Sequence, residues 1–122
     1  MNNRLALDQS FLALSHPVRR SIVERLAHGP ATVGEAARGL RISKPAVTKH
    51  LKVLEQAGLV SRSAEGHRSP VHLEAEVFDL MTKWIERYRQ RAEARYRRLD
   101  AVLAEMNDDV EDGRSPTSEE TA

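Results

Sequence analysis

Between positions 43 and 52 the chain sets Ser43, Lys44, Pro45, Thr48, Lys49, His50 and Lys52 among Val47, Leu51 and Leu54. At about 100° per residue, Val47, Leu51 and Leu54 cluster on one side of a helix. Pro45, Thr48, Lys49 and Lys52 lie on the other side, and His50 sits at the margin of the apolar face. These residue types suit recognition rather than bond-making. A lysine reaches phosphate oxygens or guanine edges, a threonine hydroxyl bonds either way, and a proline ring offers apolar surface to a thymine methyl. Short polar and basic groups on the outer, N-terminal half of a helix match a major groove about 12 Å wide. Ser43 can cap that helix, and its N-terminus suits a phosphate. Further along, Arg62, His67 and Arg68 stand in a stretch whose one acid is Glu65, so a basic tip beside the helix can follow a DNA backbone or minor groove.

Other chemistries find less support. The chain has no cysteine, which excludes disulfides, thiolate nucleophiles and cysteine-based metal centres. Its five histidines, His16, His28, His50, His67 and His72, are scattered. His67 and His72 fall on one expected hairpin, but two ligands make a weak metal site. The acid pairs Glu74/Glu76 and Glu119/Glu120 fall in stretches expected to be exposed or disordered. No glycine-rich phosphate loop or Ser-His-Asp pattern is legible, so the expectation is a protein that is not an enzyme and needs no metal or other cofactor.

The elements that must position the basic helix can be read from breaks and periodicity. Leu5, Leu7, Phe11, Leu12 and Leu14 suit a first helix ending before Ser15-His16-Pro17. Pro17 opens a second, capped by Ser15 or His16, and His28-Gly29-Pro30 stops it. Thr32-x-x-Glu35 is a capping-box pattern for a short third helix carrying Val33, Ala36, Ala37 and Leu40. Gly39 and Arg41-Ile42 form a tight connection into the basic helix, which Gly58 ends. Leu59, Val60, Val71 and Leu73 flank a Gly-containing connection and predict a small hairpin, with Pro70 at a strand's first residue or on an edge. From Ala75 to Met106 there is no glycine or proline, and Val77, Leu80, Met81, Trp84, Ile85, Tyr88, Ala92, Tyr96, Leu99, Val102, Leu103 and Met106 recur at three- and four-residue steps. Such a seam predicts one helix of roughly 45 Å with an apolar stripe that needs a partner.

Composition agrees. With 122 residues, 40% hydrophobic and 30% charged, one modest, mainly aliphatic core is expected in residues 1–106. The formal charge of +1 conceals an asymmetry: residues 1–100 hold 18 Lys and Arg against 11 Asp and Glu, a net of +7, and residues 101–122 a net of −6. A charge asymmetry of this kind points to nucleic acid or an acidic membrane surface as partner. Residues 107–122 are polar and acidic, and are expected to form a disordered tail. No apolar run approaches a membrane span, and no signal-peptide core follows the polar MNNR start, so a cytoplasmic protein without a membrane partner is expected.

The stretch LSHPVRRSIVERLAHGPATVGEAARGLRISKPAVTKHLKVLEQAGLVSRSAEG resembles the ArsR family of bacterial transcriptional repressors. The matching segments are Leu14–Leu26, Thr32–Ala37 and Ile42–Val60. The resemblance implies a winged helix-turn-helix, mainly α with a small β-hairpin. It also implies a homodimer joined by its N-terminal and long C-terminal helices, through residues such as Leu7, Phe11, Leu80, Trp84, Tyr88, Tyr96, Leu99 and Leu103. The implied ligand is double-stranded DNA, an operator with two related half-sites. Many members sense metals through cysteines or through Asp, His and Glu sets on the last helix. This chain has no cysteine and no histidine after His72, so a metal-independent repressor is expected, with an unrecognised effector site as the alternative.

Overall fold

The computed structural model describes residues 3–62 and 69–110. Its elements run α1 (Asn3–Ala13), α2 (Pro17–Ala27), α3 (Val33–Leu40), α4 (Lys44–Gln56), β1 (Val60–Arg62), β2 (Val71–Leu73) and α5 (Ala75–Asp109). The chain divides into two compact units, residues 1–83 and 84–122. His67 and Arg68 lie outside the described residues, as does the segment from 111 onward. The part of the expected tail at positions 107–109 lies inside α5.

Local chemistry starts α2, α3 and α4. His16 caps α2, its Nδ1 accepting the Val18 N–H at 3.1 Å, with Pro17 in the first turn. Thr32 and Glu35 form the expected reciprocal box: Glu35 N–H donates to Thr32 Oγ1 at 3.1 Å, and Thr32 N–H to Glu35 Oε1 at 2.8 Å. The Thr32 backbone N–H, and then its hydroxyl, hold the Glu35 carboxyl below its ordinary range, aided by Arg25 and Arg38. Ser43 Oγ accepts the Ala46 N–H at 3.2 Å and opens α4.

The core gathers around the inner face of α4. Val47, Leu51 and Leu54 are fully buried against Ile22 and Leu26 of α2, Ala36 and Ala37 of α3, the strand residues Val60 and Val71, and Met81 of α5. The small side chains of α3 let α4 approach closely. Strands β1 and β2 pair antiparallel, Val60 opposite Leu73 and Arg62 opposite Val71. A two-stranded ribbon is marginal alone. Here Ala31, ahead of α3, exchanges two backbone hydrogen bonds with Val71, at 3.0 and 2.7 Å, and ties β2 to the helices. Pro70 immediately precedes β2, where its missing N–H costs no ladder bond. Helix α1 is anchored by the buried Ser10, whose hydroxyl donates to Ala6 O at 2.6 Å and lies 3.4 Å from Ala57 O at the end of α4.

In the second unit, α5 carries an ion-pair ladder in which Arg89 bridges Glu86 and Glu93, and Glu93 also meets Arg97 at 3.1 Å. Arg89 holds the Glu86 carboxyl below its ordinary range. Trp84 and Tyr88 pack with ring centroids 4.7 Å apart, and the Arg91 guanidinium sits 5.5 Å from the Tyr88 ring centre.

Candidate nucleic-acid interface

Helix α4 presents one continuous polar face. Ser43, Lys44, Pro45, Thr48, Lys49 and Lys52 are all exposed, while the opposite side of the same helix is sealed into the core. The burial of Val47, Leu51 and Leu54 thus fixes which residues face outward. The stem of Lys44 lies over Gly34 of α3, its Cε 3.4 Å from where a β-carbon would stand, an ordinary van der Waals distance.

Two residues expected at the DNA face are engaged within the protein. His50 is half-buried, turned toward the start of α2. Its ring centre lies 4.5 Å from that of His16, and its Nδ1 lies 3.5 Å from Arg19 Nη1. Arg19 is itself held by carbonyls at the end of α1, Ala13 O at 2.6 Å and Leu12 O at 3.3 Å. Burial pushes the His50 imidazole below its ordinary value, and His16, Arg19 and Lys49 add positive charge against protonation. Through Arg19, His50 thus links α4 to α2 and to the end of α1. Arg62, at the end of β1, pairs with Glu55 of α4 at 2.8 Å and is mostly covered, which fastens the hairpin to the basic helix.

The hairpin also holds a cluster that no sequence pattern announces. Ser61 Oγ lies 2.9 Å from His72 Nε2 and donates to Glu74 Oε1 at 3.0 Å, and His72 Nε2 lies 3.0 Å from the same carboxylate oxygen. Serine and carboxylate thus meet one ring nitrogen. A nucleophile relay needs them on opposite nitrogens, so the cluster braces the exposed face of the strands. The strand register, which sets Ser61 opposite His72, is what brings it together. Among the described residues, no group of three or more His, Asp or Glu is placed to hold a metal ion, and no helix is long and apolar enough to cross a membrane.

The seam residues divide. Leu80 is half-buried, whereas Trp84, Tyr88, Tyr96, Leu99 and Leu103 are exposed, Tyr96 at 69%. In α1, Leu7 and Phe11 pack against the core of their own chain, and the exposed apolar residues are Leu5 and Leu12.

Residues 14–62 match the family described as "Helix-turn-helix domain". Over 92 residues the chain is 44% identical to the HTH-type transcriptional regulator Rv2034 of Mycobacterium tuberculosis, covering 75% of this chain and 86% of that protein. It is 33% identical over 79 residues to the transcriptional repressor SdpR of Bacillus subtilis, covering 65% of this chain and 88% of the relative. A crystal structure of an ArsR family transcriptional regulator superposes with a TM-score of 0.67 at 31% identity, covering 74% of this chain and 93% of the other.

Proposed function

This chain belongs to the ArsR family of winged helix-turn-helix transcriptional regulators, and on that footing we propose that it acts as a homodimeric, sequence-specific DNA-binding repressor in the cytoplasm, covering a promoter with two related half-sites. The observation that carries the reading is α4, with its apolar side fully buried and Pro45, Thr48, Lys49 and Lys52 exposed along the other. Thr48 and Lys49 read base edges, Ser43, Lys44 and Lys52 hold the backbone, and His67 and Arg68 add backbone contacts. His50 and Arg62 position this surface through Arg19 and Glu55. The second copy covers the α5 seam, where Trp84, Tyr88, Tyr96, Leu99 and Leu103 lie exposed.

Footprinting on the DNA upstream of the protein's own reading frame, followed by titration against salt, tests the reading. A dimer touching six to ten phosphates loses about 10³–10⁵ in affinity between ~50 and 200 mM salt. Lys52→Ala weakens all sequences alike, whereas Thr48→Ala relaxes one base position by ~1–3 kcal/mol. Trp84→Asp yields a folded monomer with no operator binding. A salt-insensitive complex, or a Trp84→Asp protein that remains dimeric with normal affinity, contradicts the proposal.

A further inference from the structure

The two helices of the helix-turn-helix close in the same way with different residues. At the end of α4, Gly58 N–H donates to Glu55 O and Leu59 N–H to Leu54 O, each at 3.0 Å, with Gly58 at φ +78°. At the end of α3, Arg41 N–H donates to Arg38 O at 3.3 Å and Ile42 N–H to Ala37 O at 3.1 Å, with Arg41 at φ 59° and ψ 41°. Both are the paired closure that places one residue in the left-handed region. Glycine enters that region freely, whereas a β-carbon crowds the following carbonyl. Among the described residues, Arg41 is the one non-glycine residue with a positive φ.

The two backbone bonds of the closure hold Arg41 in this conformation, but its side chain adds nothing to them. The Arg41 side chain is exposed, and no ion pair or hydrogen bond of its guanidinium is found among the described residues. The two carboxylates of residues 32–56 are committed elsewhere, Glu35 to Thr32 and Glu55 to Arg62. Arg41 stands two residues ahead of Ser43, between Arg38 and Lys44, in the turn that leads into the basic helix. Among the described residues, then, the Arg41 guanidinium is left open to a ligand from outside.

We propose that Arg41 grips the phosphate backbone of DNA from this turn, adding a non-specific contact beside the base-reading face of α4. The inference rests on the DNA-binding reading. A guanidinium offers two parallel N–H donors to one phosphate, and such a contact contributes affinity that falls with salt.

Folding and binding then respond to Arg41→Gly in opposite directions, which separates this role from a purely structural one. In the full chain, Arg41→Gly raises Tm by a few degrees, since the left-handed residue is relieved. On both the operator and a mixed-sequence duplex it weakens binding by about tenfold, and the salt slope drops by about two per dimer, one per protomer. Arg41→Lys keeps the charge and the strain, so it retains the salt slope but loses part of the affinity, because an ammonium cannot make the paired contact. A raised Tm with unchanged affinity and slope overturns the DNA contact, and a lowered Tm overturns the conformational argument. If the unaltered protein binds neither duplex in a salt-dependent way, the parent reading falls with it. Normal salt-dependent binding by the parent with an unaffected Arg41→Gly variant removes Arg41 alone.

Discussion

Helix α4 and the part of α5 beyond Lys83 both carry an apolar face, yet they treat it differently. In α4, Val47, Leu51 and Leu54 are 0–1% exposed. In α5, Tyr96, Leu99, Val102, Leu103 and Met106 are each about half or more exposed. The same periodicity therefore serves two ends. A stripe enclosed by its own chain turns the remaining helix face into a fixed recognition surface. A stripe left open makes folding and assembly separate events, with the second requiring another molecule.

The largest effect expected from that contrast comes from truncating equivalent leucines. Leu54→Ala opens a cavity in the core of residues 1–83 and costs ~2–5 kcal/mol of stability, visible as a fall in the denaturation midpoint. Leu103→Ala leaves unfolding of the isolated monomer within about 0.5 kcal/mol and raises the dimer dissociation constant instead. Equal losses of monomer stability for the two substitutions would erase the distinction.

Acid sharpens the comparison at intermediate size. His50 has a folded-state pKa below its unfolded value of about 6.5. The unfolded chain then binds more protons, so stability falls as pH drops through about 6.5 and levels off below the folded pKa. Thermal melts between pH 7.5 and 5.5 should show this fall, and His50→Gln should flatten it. Residues 75–122 contain no histidine, so dimer dissociation measured by sedimentation over the same range stays flat. A dissociation constant that follows the melts would couple the two regions.

The smallest effect belongs to the ladder on α5. Glu93→Gln removes the carboxylate shared by Arg89 and Arg97. Ion pairs this exposed contribute little, so Tm should stay within error, and added salt should change it no more than in the parent.

Most of the helix-turn-helix is legible in the sequence because its signals are local. Thr32 and Glu35 are three residues apart, Ser43 and Ala46 likewise, and the buried side of α4 follows from periodicity. Long-range partners are not legible. His50 meets Arg19 across 31 positions, and a residue at the margin of an apolar face carries no mark of which neighbour will cover it. Arg62 reads as a free cation until the strand brings it to Glu55. The left-handed closure of α3 falls on Arg41 because the hydrogen bonds to Ala37 and Arg38 select that position, two residues past the glycine the sequence offers. In α1, packing on the core takes Leu7 and Phe11 and leaves Leu5 and Leu12 outside, a choice that a short helix with apolar residues on several sides does not declare.

The ion pair between Arg62 and Glu55 also bears on how a groove is measured. It clamps the first wing strand to the last turn of α4, so helix and strand behave as one caliper of fixed opening. Bases met by the helix and backbone met beside the strand then keep a constant spacing, and the base of the wing has little freedom left to lose when DNA arrives. Cutting the clamp with Glu55→Gln would widen the range of spacings the protein tolerates.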